Sequence, residues 1–483
     1  MNAAELRIRG RDRPDQDANG ELAPHPEHRS PSSESADDTH QWPNRETSKS
    51  GVWTTRLEWR KPAGRVVGGP RAYLGGMSAP SELVDAPNLE PDAPDLLSAD
   101  LFGYEVMLTP DEWAVVQRTR EFMTEHVAPI AQDCWSRAEF PFQIIPPLAE
   151  VGIIGAAYGL EGSKPASQLL TGFVGLEIAR VDPSIATFIG VHSGLAMGTI
   201  VQCGSAEQQQ RWLPAMQRME LIGAFGLTEP DGGSDVAGGM RTTAKRSGDE
   251  WVLNGAKRWI GNATFADLTV IWARDEDDNQ VKGFIVEKDT PGFVATKIEN
   301  KASLRTVQNA DIVLSDCRVS EANRLQNANS FRDTSRVLRT TRGGVTWSAV
   351  GCQIGAYDAA VEYAKERHQF GKPIGHFQLI QDLLARMLGN ITASLGMAVR
   401  VSQLQQDGIF RDEQAALAKW YSTTRLRETA AWAREIMGGN GILLDRDAVR
   451  FFADAEALYS YEGTAQINAL IVGRAITGKS AFV

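Results

Sequence analysis

The spacing of apolar residues changes twice along the chain, and this constrains the fold more than any single motif does. From Thr109 to about Glu220 hydrophobic side chains recur at helical intervals. Between about Leu221 and Leu325 the period moves from about 3.6 towards 2. Short runs such as "EWVLNGAKRWIG", "ADLTVIWAR", "KGFIVEKD", "GFVATKI" and "ADIVLSDCRV" are separated there by turn chemistry such as "DEDDNQ" and "DTPG". From Thr334 onward long amphipathic patterns return, among them "GAYDAAVEYAKERHQF" and "FQLIQDLLARMLGNITASLGMAVRVSQLQQ". The order α, β, α, without an internal repeat, predicts an α+β multidomain protein. Its expected parts are an N-terminal all-α domain over 96–220, a β-domain over 221–330 and a C-terminal helical bundle over 331–483.

A chain of 483 residues is long enough for each part to hold its own core. The first helix has a clear start, with Thr109 as N-cap, Pro110 at the first helical position and Glu112 closing a capping box. Trp113, Val116, Met123, Val127 and Ile130 supply its apolar stripe. Residues 1–95 read differently. "DRPDQDANGELAPHPEHRSPSSESADDTH" offers almost nothing to bury, so a disordered polar tail is expected, then an acidic, Pro-punctuated arm from Met77. Met77 is favoured as the natural start over a functional tail. The tail has no secretory h-region, its acidic residues argue against a transit peptide, and the terminal "SAFV" is not an S-K-L-type address, so the expected location is cytoplasmic.

The net charge of −11 argues against nucleic acid as a partner and fits poorly with an anionic membrane surface. No run of eighteen apolar residues is read in the sequence, so no membrane-spanning segment is expected. Cys134, Cys203, Cys317 and Cys352 are scattered with no CxxC, and no HExxH occurs, so neither a zinc site nor other metal chemistry is expected.

Chemistry concentrates in a few stretches. "LYSYEGTAQIN", Leu458 to Asn468, sets Glu462 among tyrosines and small residues, with no Lys or Arg between Arg450 and Arg474. Such a carboxylate is either a cap or hidden ion pair, or a general base whose pKa an apolar pocket raises. No GxGxxG follows a strand and no GxxxxGK[ST] is present, so a nucleotide here needs another cradle. "AFGLTEPDGGSDVAGG", Ala224 to Gly239, surrounds Thr228, Ser234 and Asp235 with glycines. That suits close approach of a phosphate or flat ring, or simply a pair of tight turns. Trp259 in "KRWIGN" either stacks on such a ring or caps the β-domain core. "ERHQFGKPIGHFQLIQ" reads as one helix ending at Gly371 and another starting; Arg367 there complements the helix dipole or reaches a phosphate. "EIMGGNGI" is a helix followed by a glycine loop, either a C-cap or a backbone cradle.

In combination and order these motifs resemble the acyl-CoA dehydrogenase superfamily from about Met107 to the C-terminus. The resemblance is closest in look to the branch of glutaryl-CoA dehydrogenases and plant peroxisomal short-chain acyl-CoA oxidases. It implies a middle β-barrel-like domain and a C-terminal four-helix bundle. It also implies non-covalent FAD, a homotetramer, and oxidation of an acyl-CoA thioester to the trans-2-enoyl-CoA. Electrons would pass to electron-transferring flavoprotein or to oxygen. Glu462 is then the base, and the lack of neighbouring cations in its segment is expected to keep it strong. The resemblance assigns Leu227, Thr228, Ser234, Trp259, Gly261, Thr464 and Gln466 to the flavin. Arg367, Gln378, Glu435, Gly438 and Gly439 fall to the cofactor's diphosphate and adenosine end, with Arg367 and Gln378 reaching a neighbour's FAD. Ser234, Arg342 and Gly463 fall to the acyl-CoA.

The sequence departs from that pattern in three places. Gly261 stands where W-I-T or W-I-S places a hydroxyl near the reactive flavin nitrogen, which keeps an acyl-CoA oxidase as the alternative. Glu435 replaces a frequent Gln. Ala186, in "PSIATFIGVHSGL", stands where glutaryl-CoA enzymes carry an arginine, so a dicarboxylic substrate is disfavoured. A flavin-free acyl-CoA-binding protein on the same fold is the alternative outside enzymes.

Overall fold

The computed structural model describes residues 99–480; the tail expected over 1–95 and the last residues of "SAFV" lie outside them. Helix α1 (Pro110–Phe122) begins where the sequence places it. The Thr109 hydroxyl accepts from the Glu112 N–H and the Glu112 carboxylate accepts from the Thr109 N–H. A π-helical run, Met123–Val127, leads into α2 (Ala128–Arg137). Val116, Met123 and Val127 of the stripe are buried, while Trp113 and Ile130 pack at the edges of the core. The N-terminal region continues with α3 (Ile145–Val151), α4 (Gln168–Val181), α5 (Pro183–Ile189), α6 (Gly198–Cys203) and α7 (Ala206–Gln217), and a second π-helical run, Gly190–Met197, joins α5 to α6.

Pro183–Cys203 bears on the expectation of no membrane-spanning segment. It is a continuous helical stretch of 21 residues with mean hydropathy 1.5, long and apolar enough on those grounds to cross a membrane. Glycines and single polar residues such as His192 break any strict apolar run, which hides the stretch from a simple count. Here Ile185, Phe188, Ala196, Met197, Ile200 and Cys203 are buried in the protein core, so the helix is apolar because protein surrounds much of it.

The middle region is a curled seven-stranded sheet in the order β1-β4-β2-β3-β7-β6, with β5 on β4. Its strands are β1 (Gly223–Gly226), β2 (Thr243–Ser247), β3 (Glu250–Gly261), β4 (Leu268–Asp275), β5 (Val281–Glu287), β6 (Phe293–Lys297) and β7 (Asn309–Ser320), with a one-turn helix α8 (Val236–Gly239) after β1. β1 and β2 run parallel to β4, and the other pairings are antiparallel. β3 and β7 slip register between Lys257 and Ile260, and this bulge leaves Trp259 at φ 65.

Long helices form the C-terminal bundle: α9 (Phe331–Glu366), α10 (Gln378–Gln406) and α11 (Asp412–Ile436), followed by α12 (Ala448–Ser460) and α13 (Ala465–Thr477). α9 crosses α4 at backbone contact, since a Cβ on Gly351 would lie 2.2 Å from the Leu176 carbonyl oxygen. The helix carrying Arg367 ends at Glu366, not at Gly371. Arg367 is already extended, and His368–Gln369 pairs with Lys372–Pro373 around left-handed Phe370 and Gly371. A hairpin that needs Gly371 at φ 81 and closes on Pro373 cannot continue a helix.

Candidate active site

The segment between α12 and α13 is built around an unusual backbone. Glu462 has φ 53 and Gly463 φ 87, both left-handed. Thr464 then caps α13, its hydroxyl accepting from the Ile467 N–H at 3.2 Å. A left-handed glutamate is strained, and such residues persist where the surroundings hold them. Thr341, on α9, donates its hydroxyl proton to the Glu462 carboxylate at 2.8 Å. Burial pushes that carboxyl above its ordinary value of 4.5, while the Thr341 bond and the charges of Arg342 and Lys419 pull it down.

Those two charges correct the expectation of a cation-free setting. The chain around Glu462 carries none, but α9 and α11 fold Arg342 and Lys419 into its neighbourhood. The Arg342 Nε is buried and makes no hydrogen bond among the described residues. Tyr461 has its phenol raised by burial, and Thr187, whose hydroxyl donates to the Pro183 carbonyl, lies near enough to oppose that rise. Helix α5, with Ala186 beside Thr187, therefore faces this turn, and its Ile185–Ala186–Thr187 stretch carries no charge.

A second group of predicted residues lies between β1 and β3. Leu227 is buried just past β1; its carbonyl accepts from the Lys257 ammonium at 3.0 Å, and the Thr228 carbonyl accepts from the Arg258 N–H at 2.8 Å. Lys257 is fully buried and pairs at 2.9 Å with Glu229, which also accepts from the Arg241 and Thr242 N–H groups. Trp259 follows, 52% exposed. Gly261 is buried against the π-helical run, and a Cβ there would sit 3.0 Å from Val191. Ser234 is exposed on the glycine turn, and Gln466 is exposed at the start of α13.

A third group lies at one end of the bundle. Arg367, Gln378, Glu435, Gly438 and Gly439 are exposed, with open space where Cβ atoms on the two glycines would point. Tyr363 joins this region. Its carbonyl accepts from the Arg367 N–H, and its hydroxyl accepts from the Asn440 side chain at 2.8 Å. Gln378 opens α10 beyond Phe377, whose ring meets Phe370 edge-on. Glu462 takes its neighbours from Thr341, Arg342 and Lys419, none of which belongs to this group.

Sequence reading missed Thr341, Lys419 and the Lys257–Glu229 pair. A lysine in "ALAKWYS" looks like a solvated helix face. Its neighbours Ala415, Ala416 and Ala418 are all buried, and that small-residue face was the available signal.

The open space over Gly438 and Gly439 suits a diphosphate, the half-exposed indole on its left-handed backbone suits a flat ring, and the buried Arg342 Nε leaves a donor near Glu462. Comparison with known proteins agrees. Family models described as the acyl-CoA dehydrogenase N-terminal, middle and C-terminal domains match residues 109–220, 224–317 and 331–477. The chain belongs to the acyl-CoA dehydrogenase family. An acyl-CoA dehydrogenase of Bacillus subtilis (strain 168) is 32% identical over 379 residues, spanning 77% of this chain and 99% of that one. The crystal structure of a glutaryl-CoA dehydrogenase from Mycobacterium smegmatis is 36% identical, with TM-score 0.77 over 80% of this chain and 99% of that one. A structure of a glutaryl-CoA dehydrogenase from the same organism in complex with FADH2 is 32% identical, with TM-score 0.77 over 79% and 98% of the two chains. As a member of the family the chain is an FAD-dependent oxidoreductase that dehydrogenates acyl-CoA thioesters.

Proposed function

We propose that Glu462 is the general base, acting on a monocarboxylic acyl-CoA of short to medium chain length. The observation that carries this reading is a partly buried, left-handed carboxylate whose pKa burial raises, held by the Thr341 hydroxyl. Glu462 takes the proton from the carbon next to the thioester carbonyl. Bound FAD would supply the acceptor for the hydride of the next carbon, so that loss of proton and hydride leaves a carbon–carbon double bond. Negative charge developing on the thioester oxygen is stabilised by the Glu462 backbone N–H. Arg342, with a donor to spare, holds the CoA. Leu227, Thr228, Ser234, Trp259, Gly261, Thr464 and Gln466 hold the flavin.

The uncharged α5 stretch beside Tyr461 supports the choice of substrate, because a second carboxylate there would be buried without a partner. Butyryl-CoA is expected to turn over faster than glutaryl-CoA by about a hundredfold, roughly the worth of one buried charge contact. Equal rates would remove the substrate assignment.

Arg367 and Gln378, with Glu435, Gly438 and Gly439, serve the diphosphate and adenosine of a neighbouring subunit's FAD, in a homotetramer. Their exposure at the bundle end, apart from Glu462, supports a site completed between subunits. Arg367→Ala is expected to weaken FAD retention about tenfold or more and to loosen the assembly with it. FAD loss with an unchanged oligomer at high dilution would count against the shared site.

The acceptor is electron-transferring flavoprotein in this reading, with oxygen as the second. Gly261 favours the second, since it brings no hydroxyl to the flavin edge. Gly261→Ser requires Val191 to give by only a few tenths of an ångström, so the variant should fold. Its reduced flavin is expected to reoxidise in air more slowly than the wild type's, measured by stopped flow. Equal rates would leave the oxidase reading without support.

A further inference from the structure

Lys419 is fully buried on α11, yet among the described residues no carboxylate bonds to it. Its ammonium donates to the Tyr459 carbonyl in the last turn of α12 and to the Gly463 carbonyl, both at 2.8 Å. Those oxygens bracket Glu462. The Gly463 carbonyl also accepts from the Asn468 side chain at 2.8 Å, so two donors from different helices hold one carbonyl of a left-handed turn. A cation spent on two main-chain carbonyls is costly to bury, and a neutral donor such as Asn468 meets the same geometric need. What the lysine adds is charge. The groups facing the Glu462 carboxylate are Lys419 from α11, Arg342 and Thr341 from α9, and Tyr461 beside it.

We propose that Lys419 is the positioning residue of the base: it locks the Glu462–Gly463 turn through two carbonyls and sets the proton affinity of Glu462 with a buried positive charge. The inference rests on Glu462 being the base. Burial pushes the Lys419 ammonium down to about 8, so it is still charged at neutral pH, and the pull of Glu462 opposes that drop. Without that charge the Glu462 carboxyl, already raised, rises further. Less of the enzyme then holds the deprotonated base at a given pH.

The test is the pH dependence of kcat in the FAD-loaded enzyme with saturating butyryl-CoA, for wild type, Lys419→Gln, Asn468→Leu and Glu462→Gln. Lys419→Gln keeps a donor but no charge, and its acid limb is expected to move up by about one pH unit, with activity recovering as the pH rises. Asn468→Leu removes a donor from the same carbonyl without touching the charge, so it is expected to lower the plateau and leave the limb in place. A limb in Lys419→Gln that coincides with the wild type's would overturn the inference. If Lys419→Gln does not retain FAD, Lys419→Met is read in the same way; failure of both to fold would assign Lys419 to the fold alone and overturn it too. Glu462→Gln separates the two levels. If it stays active the base assignment fails, whereas if it is dead and the Lys419→Gln limb is unmoved, only the role of Lys419 fails.

Discussion

Glu462→Gln is expected to fold, keep its FAD and lose about three orders of magnitude in kcat, within the range that positioned acid–base groups contribute. Glutamine has the shape of the carboxylate, still accepts from Thr341 and still suits the left-handed turn held by Lys419 and Asn468. Only basicity is removed. The same variant should stop the exchange of the substrate's α-hydrogen with deuterated solvent, which reports proton abstraction without the hydride step. A variant that turns over within tenfold of wild type would place the base elsewhere.

The largest expected loss of stability comes from Lys257→Met. Lys257 and the side chain of Glu229 are almost wholly buried, and their 2.9 Å contact ties the loop after β1 to β3. Removing one partner of a buried pair strands the other charge, at about 3–5 kcal/mol. Glu229 would keep the Arg241 and Thr242 N–H groups but lose its cation, and the Leu227 carbonyl would lose its donor. The expected drop in Tm is about 4–6 °C for a chain of this size. Adding Glu229→Gln to Lys257→Met removes the stranded charge but keeps an acceptor for only one of the two N–H groups, which bond different carboxylate oxygens. Part of the lost stability should therefore return in the double variant. If the single variant unfolds within about 1 °C of wild type, the pair is not what fixes the loop after β1.

Much of the architecture was legible because local signals and burial agreed. Thr109, Pro110 and Glu112 form the capping box that their spacing predicts. The quoted runs from "EWVLNGAKRWIG" to "ADIVLSDCRV" are the strands β3 to β7. β1 is not among those runs because it is a short parallel strand buried along its whole length, with no alternation to read. β2 is absent from them because most of its residues are exposed, leaving no apolar face. In the site, Glu462, Trp259 and Gly261 stood out by residue type. Their conformations did not, since a left-handed Trp259 depends on a register slip against β7, far along the chain. The charges around Glu462 were misjudged for the same reason. Arg342 and Lys419 come from helices remote in sequence, and only the bundle brings them to the turn.

The most direct test of the central claim is anaerobic mixing of the FAD-loaded protein with excess butyryl-CoA, following flavin absorbance and product together. Wild type is expected to bleach its flavin and to form about one trans-2-enoyl-CoA per flavin bleached, as removal of a proton and a hydride from one substrate requires, while Glu462→Gln binds the same thioester without bleaching on that timescale. Bleaching at equal rates in both proteins would contradict Glu462 as the base, and a wild-type flavin that no straight-chain acyl-CoA bleaches would contradict the proposed substrate.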